Sequence, residues 1–187
     1  MKNLLEIAKI FVLAAVIIIP ANVSAVRLTS MANGVTAQNF LNNWGFPSAW
    51  NSRITIEGPP GLQTFFVLIP AAKSGLPDVT KNTSGFGFVD ISIIPNSGEV
   101  SGIELILSIY STNPTQILAN AFSAIIGRNN FNSDKNKFDN AVAKVLSRQK
   151  DYSVYYSENM NRIYMIALQQ MNERDFYKLS VYAFTEN

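Results

Sequence analysis

The chain has no cysteine and no histidine among its 187 residues. Without cysteine it cannot form a disulfide, use a thiol nucleophile or bind zinc through thiolates. Without histidine it has neither a Ser-His-Asp triad nor a histidine metal ligand. Charge is also scarce and balanced, with 15 basic and 13 acidic residues, which gives no electrostatic footprint for nucleic acid. We therefore expect no metal, no cofactor and no nucleic-acid partner.

The N-terminus has the pattern of a cleavable signal peptide. Lys2 and Lys9 make the start positive, and residues 10–19 are an unbroken apolar run. Val23 and Ala25 are small residues at the positions that a signal peptidase reads, which predicts residues 1–25 as the leader and cleavage after Ala25. The alternative is an uncleaved membrane anchor, but a spanning helix needs about 20 apolar residues, more than this run provides.

Cleavage would leave residues 26–187, which show no repeat and no linker and are therefore predicted to form a single domain. A domain of this size buries enough surface to fold without disulfides. Because small eukaryotic secreted domains usually carry disulfides, the absence of cysteine favours a bacterial protein that is periplasmic or secreted. We expect no stable membrane span once the signal peptide is removed.

Capping and turn residues divide the first half of the chain into one helix and about four strands. Thr36 predicts the N-cap of a short helix over 37–44, and Gly45 predicts its end. The strands are predicted at 53–57, at 62–69 and on both sides of a turn at 96–98. Residues 71–84 are rich in Gly, Pro, Ser, Asn and Lys, which predicts an exposed loop.

The hairpin within residues 86–110 has a readable register. A three-residue loop with Gly98 in the left-handed conformation pairs Ile94 with Val100 and Asp90 with Glu104. One face is then apolar and carries Val89, Ile91, Ile93, Ile103, Leu105 and Leu107. A slip of one residue would mix apolar and polar side chains on each face, so the pattern argues for this register.

Two helices are predicted in the centre of the chain. Asn113 and Pro114 have the pattern of an N-cap and a first helical residue, and Gly127 is a typical helix end. The second helix is predicted to begin at Ser133 or Asp134. Each helix has one apolar stripe, so the pair is expected to pack on one face of a sheet.

Three further strands, at 152–156, 162–170 and 176–184, predict a meander at the C-terminus. The register that we predict places one apolar set on the core face: Tyr152, Val154, Tyr156, Ile163, Met165, Ala167, Leu179, Val181 and Ala183. Strands grouped with strands and helices with helices indicate an α+β fold with a mostly antiparallel sheet of about seven strands. A short N-terminal helix and a central helix pair complete the predicted fold.

Asp90 and Glu104 are the strongest candidates for catalytic residues. The predicted register puts them directly opposite each other, with Cβ atoms about 5 Å apart. Two such carboxylates can shift each other's pKa, as general acid–base pairs require, and glycoside hydrolysis uses a carboxylate pair. The alternative is two solvated carboxylates on a polar sheet face, with a Lys or Arg between them.

A row of aromatic residues is the candidate partner-binding surface. Six of the seven tyrosines follow residue 151, and the predicted register aligns Tyr155, Tyr164 and Tyr182 across three strands, beside Phe184. Tyrosine supplies a large contact area together with a hydroxyl group, which suits a protein interface. The alternative is that these tyrosines are core residues whose hydroxyls have partners.

These observations predict a small exported binding protein that is not an enzyme and whose partner is another protein. An inhibitor, an immunity protein and a secretion accessory factor all belong to this class. One alternative is an exported hydrolase that uses Asp90 and Glu104 on cell-wall or polysaccharide substrates. Another is a periplasmic carrier of a lipid or small ligand, held in an apolar cavity between the sheet and the helices.

Overall fold

The computed structural model describes residues 26–76, 78, 86–172 and 175–186. The predicted signal peptide and part of the predicted loop at 71–84 lie outside the described residues. The strands are β1 (Val26–Leu28), β2 (Ile54–Ile56), β3 (Gln63–Pro70), β4 (Phe86–Ile93), β5 (Val100–Ser108), β6 (Tyr152–Ser157), β7 (Arg162–Gln170) and β8 (Phe176–Glu186). The helices are α1 (Ala37–Trp44), α2 (Ala71–Ser74), α3 (Pro114–Ile126) and α4 (Arg128–Leu146), with a 3-10 turn at Ala49–Ser52.

One antiparallel sheet contains all eight strands of the described residues. Seven of them follow the order β2-β3-β4-β5-β8-β7-β6, and β1 pairs with the end of β8. The predicted α+β fold with an antiparallel sheet is confirmed. Strand β1 was not predicted, because a three-residue segment is too short to show a strand pattern.

Helices α3 and α4 pack on one face of this sheet, which we call the helix face. It carries Phe65, Val67, Val89, Ile91, Ile103, Leu105, Leu179, Val181, Tyr164 and Ile166, all buried. Aromatic rings join the layers: Phe122 of α3 stacks on Phe138 of α4, with ring centroids 5.5 Å apart. The edge of Phe122 also meets Tyr164 of β7 at 4.9 Å.

The opposite side of the sheet, the distal face, carries the alternate residues of each strand. Its side chains include Phe66, Asp90, Ser92, Glu104, Lys178, Ser180, Tyr182, Met165, Ala167 and Val154. The centre of this face is polar and buried, and its margins are apolar. The helices α3 and α4 do not cover it.

The predicted register of the β4–β5 hairpin is confirmed in its body and wrong next to the turn. Asp90 lies opposite Glu104, as the side-chain pattern predicts. Val100, however, pairs with Ile93 instead of Ile94, because a register shift follows Ser92. The shift leaves the apolar residues of both strands on the helix face.

The predicted register of the C-terminal meander is correct between β6 and β7 and wrong by one residue between β7 and β8. Leu179 pairs with Leu168 and Val181 with Ile166, so both lie on the helix face and not beside Met165. The reason is that β8 is a central strand, buried on both faces from Leu179 to Phe184. Its side chains therefore lack the alternation from which a register can be read.

The helix predictions differ in their accuracy. Helix α1 begins and ends as predicted, and the side chain of Thr36 caps it by accepting from the Asn39 N–H. Helix α4 begins at Arg128, before the predicted start at Ser133 or Asp134, because the buried Phe131 extends its apolar stripe by one turn. No helix among the described residues has the length and apolar character needed to cross a membrane.

Candidate functional site

Three charged side chains from three neighbouring strands meet at the centre of the distal face. Asp90 of β4 lies directly opposite Glu104 of β5, and the next strand, β8, contributes Lys178. We call these residues, together with Tyr182 of β8, the ionic cluster. The predicted juxtaposition of the two carboxylates is therefore confirmed, and a lysine joins them.

Lys178 bridges the two carboxylates. Its Nζ donates to Asp90 Oδ2 at 2.6 Å and to Glu104 Oε2 at 2.8 Å. The hydroxyl of Tyr182 donates to the second carboxylate oxygen of Glu104 at 2.9 Å. Two carboxylates and one ammonium leave the ionic cluster with one net negative charge when all three groups are ionised.

Burial dominates the electrostatics of Asp90, whose side chain is only 2% exposed. Loss of hydration raises the pKa of Asp90, while the charge of Lys178 and its hydrogen bond act in the opposite direction. Among the described residues, Asp90 Oδ1 has no hydrogen-bond partner. The ionised form of this buried carboxylate therefore depends on the Lys178 cation for its stability.

The pKa of Lys178 results from opposed effects. Burial lowers it, but the charges of Glu104 and Asp90 and the two hydrogen bonds together outweigh burial and raise it. Lys178 thus remains a cation at neutral pH. The three-stranded arrangement holds its ammonium group in place on the distal face.

Tyr182 reaches the ionic cluster because a glycine lies beneath its ring. Gly102 pairs directly with Tyr182, and a Cβ atom at Gly102 would stand 2.2 Å from Tyr182 Cδ1. Any larger residue at position 102 would displace the ring. Burial raises the pKa of the Tyr182 hydroxyl well above its usual value, so this group acts as a hydrogen-bond donor.

This geometry suits a fixed, internally hydrogen-bonded ionic cluster better than acid–base catalysis. A catalytic carboxyl has to reach its substrate, whereas Asp90 is almost fully buried and both oxygens of Glu104 already have donors. The cluster matches the sequence-based alternative in the cation between the two carboxylates, but the predicted solvation is wrong, because Asp90 is buried. Catalysis by Asp90 and Glu104 stays a prediction.

The four aromatic residues of the predicted partner-binding row lie on two different faces. Tyr155 and Tyr164 are neighbours on the helix face with ring centroids 5.5 Å apart, and both are buried. The Tyr164 hydroxyl donates to the carbonyl of Met31 at 2.7 Å. Tyr182 and Phe184 lie on the distal face. The predicted single row is wrong, because the register between β7 and β8 is shifted by one residue.

The margins of the distal face carry apolar side chains that are unusually exposed. On β6, Val154 and Tyr156 are 43% and 46% exposed. At the opposite margin, Ile54 of β2 is 60% exposed, and the rings of Phe66 and Phe88 pack with centroids 4.8 Å apart. Sequence reasoning placed Val154 and Tyr156 in the core, because it assigned the wrong face of the sheet to the helices.

Lys178 is the functional candidate that sequence reasoning missed. It is the only charged residue in the segment 176–184, which is otherwise apolar or aromatic except for Ser180. A single lysine in a strand that is buried on both faces requires an acidic partner, and this requirement could have directed attention to Asp90 and Glu104.

Neither a search for metal sites nor comparison with known proteins adds a candidate site. Among the described residues, no group of three or more acidic side chains is arranged to hold a metal ion. No protein-family model, curated protein or solved structure matches the chain.

Proposed function

We propose that the chain is an exported binding protein whose distal face contacts another protein. The observation that carries this proposal is the pattern of the face: partly exposed apolar side chains at both margins flank a central ionic cluster. Protein interfaces combine apolar and aromatic contact area with a small number of fixed polar groups. An apolar surface of this kind is otherwise unfavourable for a protein in water.

The ionic cluster would act on this interface through its charge and not by broad direct contact, because Asp90 and Tyr182 are almost fully buried. Its hydrogen bonds are made within the protein, so its geometry exists before a partner arrives. Its net negative charge favours a partner that brings a positive charge to the centre of its own surface. The exposed apolar side chains at the margins would supply the contact area.

The two other candidate functions have less support. Hydrolysis by carboxylates is disfavoured by the burial of Asp90. A carrier needs a cavity between helices and sheet, but Phe122, Phe138 and Tyr164 fill that layer with ring-to-ring contacts.

Export is part of the proposal and is compatible with the fold. Strand β1 begins at Val26, the residue that would follow cleavage after Ala25. Removal of the predicted signal peptide would therefore leave every described strand and helix intact. The N-terminal residue of the protein, purified from the periplasm or the medium and determined by Edman sequencing, tests this point: Val26 is expected, and an intact Met1 would contradict cleavage.

Site-specific crosslinking tests the binding face. The full chain is expressed in its native host with a photoreactive phenylalanine analogue at Val154 on the distal face. A matched version carries the analogue at Asn140, an exposed residue of α4. A single protein crosslinked from position 154 and not from position 140 is expected. Equal capture from both positions, or capture from position 140 alone, would refute the proposed face.

A charge substitution then measures the contribution of the apolar margin. Val154→Glu places a charge in the proposed contact and is expected to weaken binding to the captured protein at least about tenfold. Asn140→Glu adds the same charge on the helix side and should leave binding unchanged. Equal effects of the two substitutions would show that net charge, and not the distal face, governs binding.

A further inference from the structure

Two adjoining clefts on the helix side of the protein have a composition suited to a ligand of a different kind. We propose that they form one binding groove for an anionic oligosaccharide, that is, a glycan whose sugars carry carboxylate groups. This groove is separate from the distal face and does not depend on the function proposed for that face.

The first cleft has a volume of about 440 Å³. Its polar lining consists of four asparagines and one arginine: Asn33, Asn43, Asn130, Asn159 and Arg162. An asparagine side chain both donates and accepts hydrogen bonds, as does each hydroxyl group of a sugar. Asn43 and Asn130 each donate one amide N–H to a backbone carbonyl, and Asn33 accepts from Arg162. The amide atoms that remain suit a ligand with many hydroxyl groups better than a ligand that offers only charge.

The second cleft has a volume of about 510 Å³ and shares Asn43, Ala124 and Gly127 with the first. It adds two cations, Lys73 and Arg128, to its lining. It also adds Asn120 and Trp44, whose ring is partly exposed. An aromatic ring beside amide groups offers a surface on which the apolar face of a sugar ring can pack.

Charge complementarity supports an anionic ligand. Among the described residues that line the two clefts, three are cations and none is an aspartate or a glutamate. Of the ion pairs formed among the described residues, none involves Lys73, Arg128 or Arg162. The groove is therefore a cationic surface in a chain whose overall charge is only +2.

Arg162 is the most informative of these cations because neutral oxygens hold it in place. Its Nε donates to the carbonyl of Ser30 at 3.1 Å, and its guanidinium also donates to Asn33 Oδ1 at 2.8 Å and to the carbonyl of Asn161 at 3.0 Å. The side chain is partly buried and its charge has no carboxylate partner among the described residues. A carboxylate on a ligand would supply that missing counter-ion.

Calorimetric titration of the full protein with defined oligomers tests the groove. The probe is a hexamer of galacturonic acid, compared with the neutral hexamer cellohexaose and with poly-glutamate of similar charge. The galacturonate hexamer is expected to bind at least about tenfold more tightly than either comparison ligand. Poly-glutamate binding as tightly would overturn the assignment to a glycan, and equal binding of cellohexaose would overturn the assignment to an anion.

A double variant that lacks two cations of the groove tests whether the ligand binds there. The double variant Lys73→Gln with Arg128→Gln removes two groove cations and is expected to weaken binding of the galacturonate hexamer about tenfold or more. The control, Lys144→Gln with Lys150→Gln, removes the same charge from exposed positions outside both clefts and should bind as the unmodified protein does. An equal loss in both variants, or no detectable binding of the hexamer by the unmodified protein, would refute the proposal.

Discussion

Lys178 is the residue on which the centre of the distal face depends. It is 22% exposed and bridges Asp90, at 2%, and Glu104, at 14%. Removing one partner from a buried ionic group leaves an uncompensated charge, which costs far more free energy than the intact pair contributes. At neutral pH we expect Lys178→Met to reduce the free energy of unfolding by about 3 kcal/mol or more, measured by urea denaturation.

A surface ion pair provides the control for this substitution. Lys135 pairs with Asp139 one turn along α4, and their side chains are 54% and 36% exposed. Such pairs contribute only about 0.3–0.5 kcal/mol, because water screens them. Lys135→Met should therefore have little effect on unfolding. A similar loss in both variants would show that the ionic cluster contributes no more than an exposed pair.

The cost of Lys178→Met should depend on pH, because it arises from ionised Asp90. Burial raises the pKa of this carboxyl in the folded state, so protonation favours folding. The stabilisation from proton binding is present below the ordinary aspartate pKa of about 4 and is lost as the pH rises through the folded-state pKa. Loss of the Lys178 charge raises the pKa of Asp90 further. The deficit of the variant, measured by urea denaturation, should shrink between pH 7 and pH 4.

Single residues also show what could be read from the sequence and what could not. The pairing of Asp90 with Glu104 followed from the apolar pattern of two strands, because each strand presents different residues to its two faces. The register that we predicted next to the Gly98 turn was wrong. The bridge through Lys178 did not follow, since it depends on β8 lying next to β5. Contacts between segments so far apart in sequence leave no local pattern.

At the scale of elements, Phe122 connects α3 to both of its neighbours. Its ring stacks on Phe138 of α4 and meets Tyr164 of β7 edge-on, and it has no exposed surface. Removing a buried phenylalanine costs about 3–5 kcal/mol, because it creates a cavity. We expect Phe122→Ala to lower the free energy of unfolding by this amount. Thermal denaturation, monitored by circular dichroism, measures the loss.

An apolar residue on the distal face serves as the control for Phe122. Val154 is 43% exposed, so truncation to alanine removes little buried surface and should change stability by less than about 1 kcal/mol. If Val154→Ala proved as costly as Phe122→Ala, the distal margin would be covered in solution. That result would contradict the accessibility on which the proposed interface depends.

The elements that sequence reasoning placed correctly are those with chemical signals at their ends. Helix α1 has Thr36 and Gly45 as its caps, and α3 has Asn113 and Pro114 at its start. Strand β8 lacks such information in its interior, because both of its faces are buried. The wrong face of the meander was therefore assigned to the core. The same error produced the predicted aromatic row, which the structure does not contain.

At the scale of the whole molecule, the last strand in the sequence occupies the middle of the sheet. Strand β8 pairs with β5 on one side and with β7 on the other, and its end pairs with β1. The segments β2–β5 and β6–β7 have no connection within the sheet until β8 is present. The complete core therefore cannot form before the C-terminal residues have been synthesised.

This position predicts that removal of β8 abolishes folding. A chain that ends at Asp175 would expose the unpaired edges of β5 and β7 and would leave Leu105 and Ile166 without their neighbours on the helix face. We expect the shortened chain to show no cooperative unfolding transition in urea and to be digested rapidly by protease.

A truncation at the other end of the chain serves as a control. It shows whether folding is lost because β8 is central or because any strand is missing. A chain that begins at Thr29 lacks β1, which contributes three pairs at the end of β8. Because the path from β2 to β6 remains complete without β1, this shorter protein should retain a cooperative transition at a lower midpoint. A cooperative transition in the chain that ends at Asp175 would mean that the two halves of the sheet fold independently, and β8 would then join two preformed units.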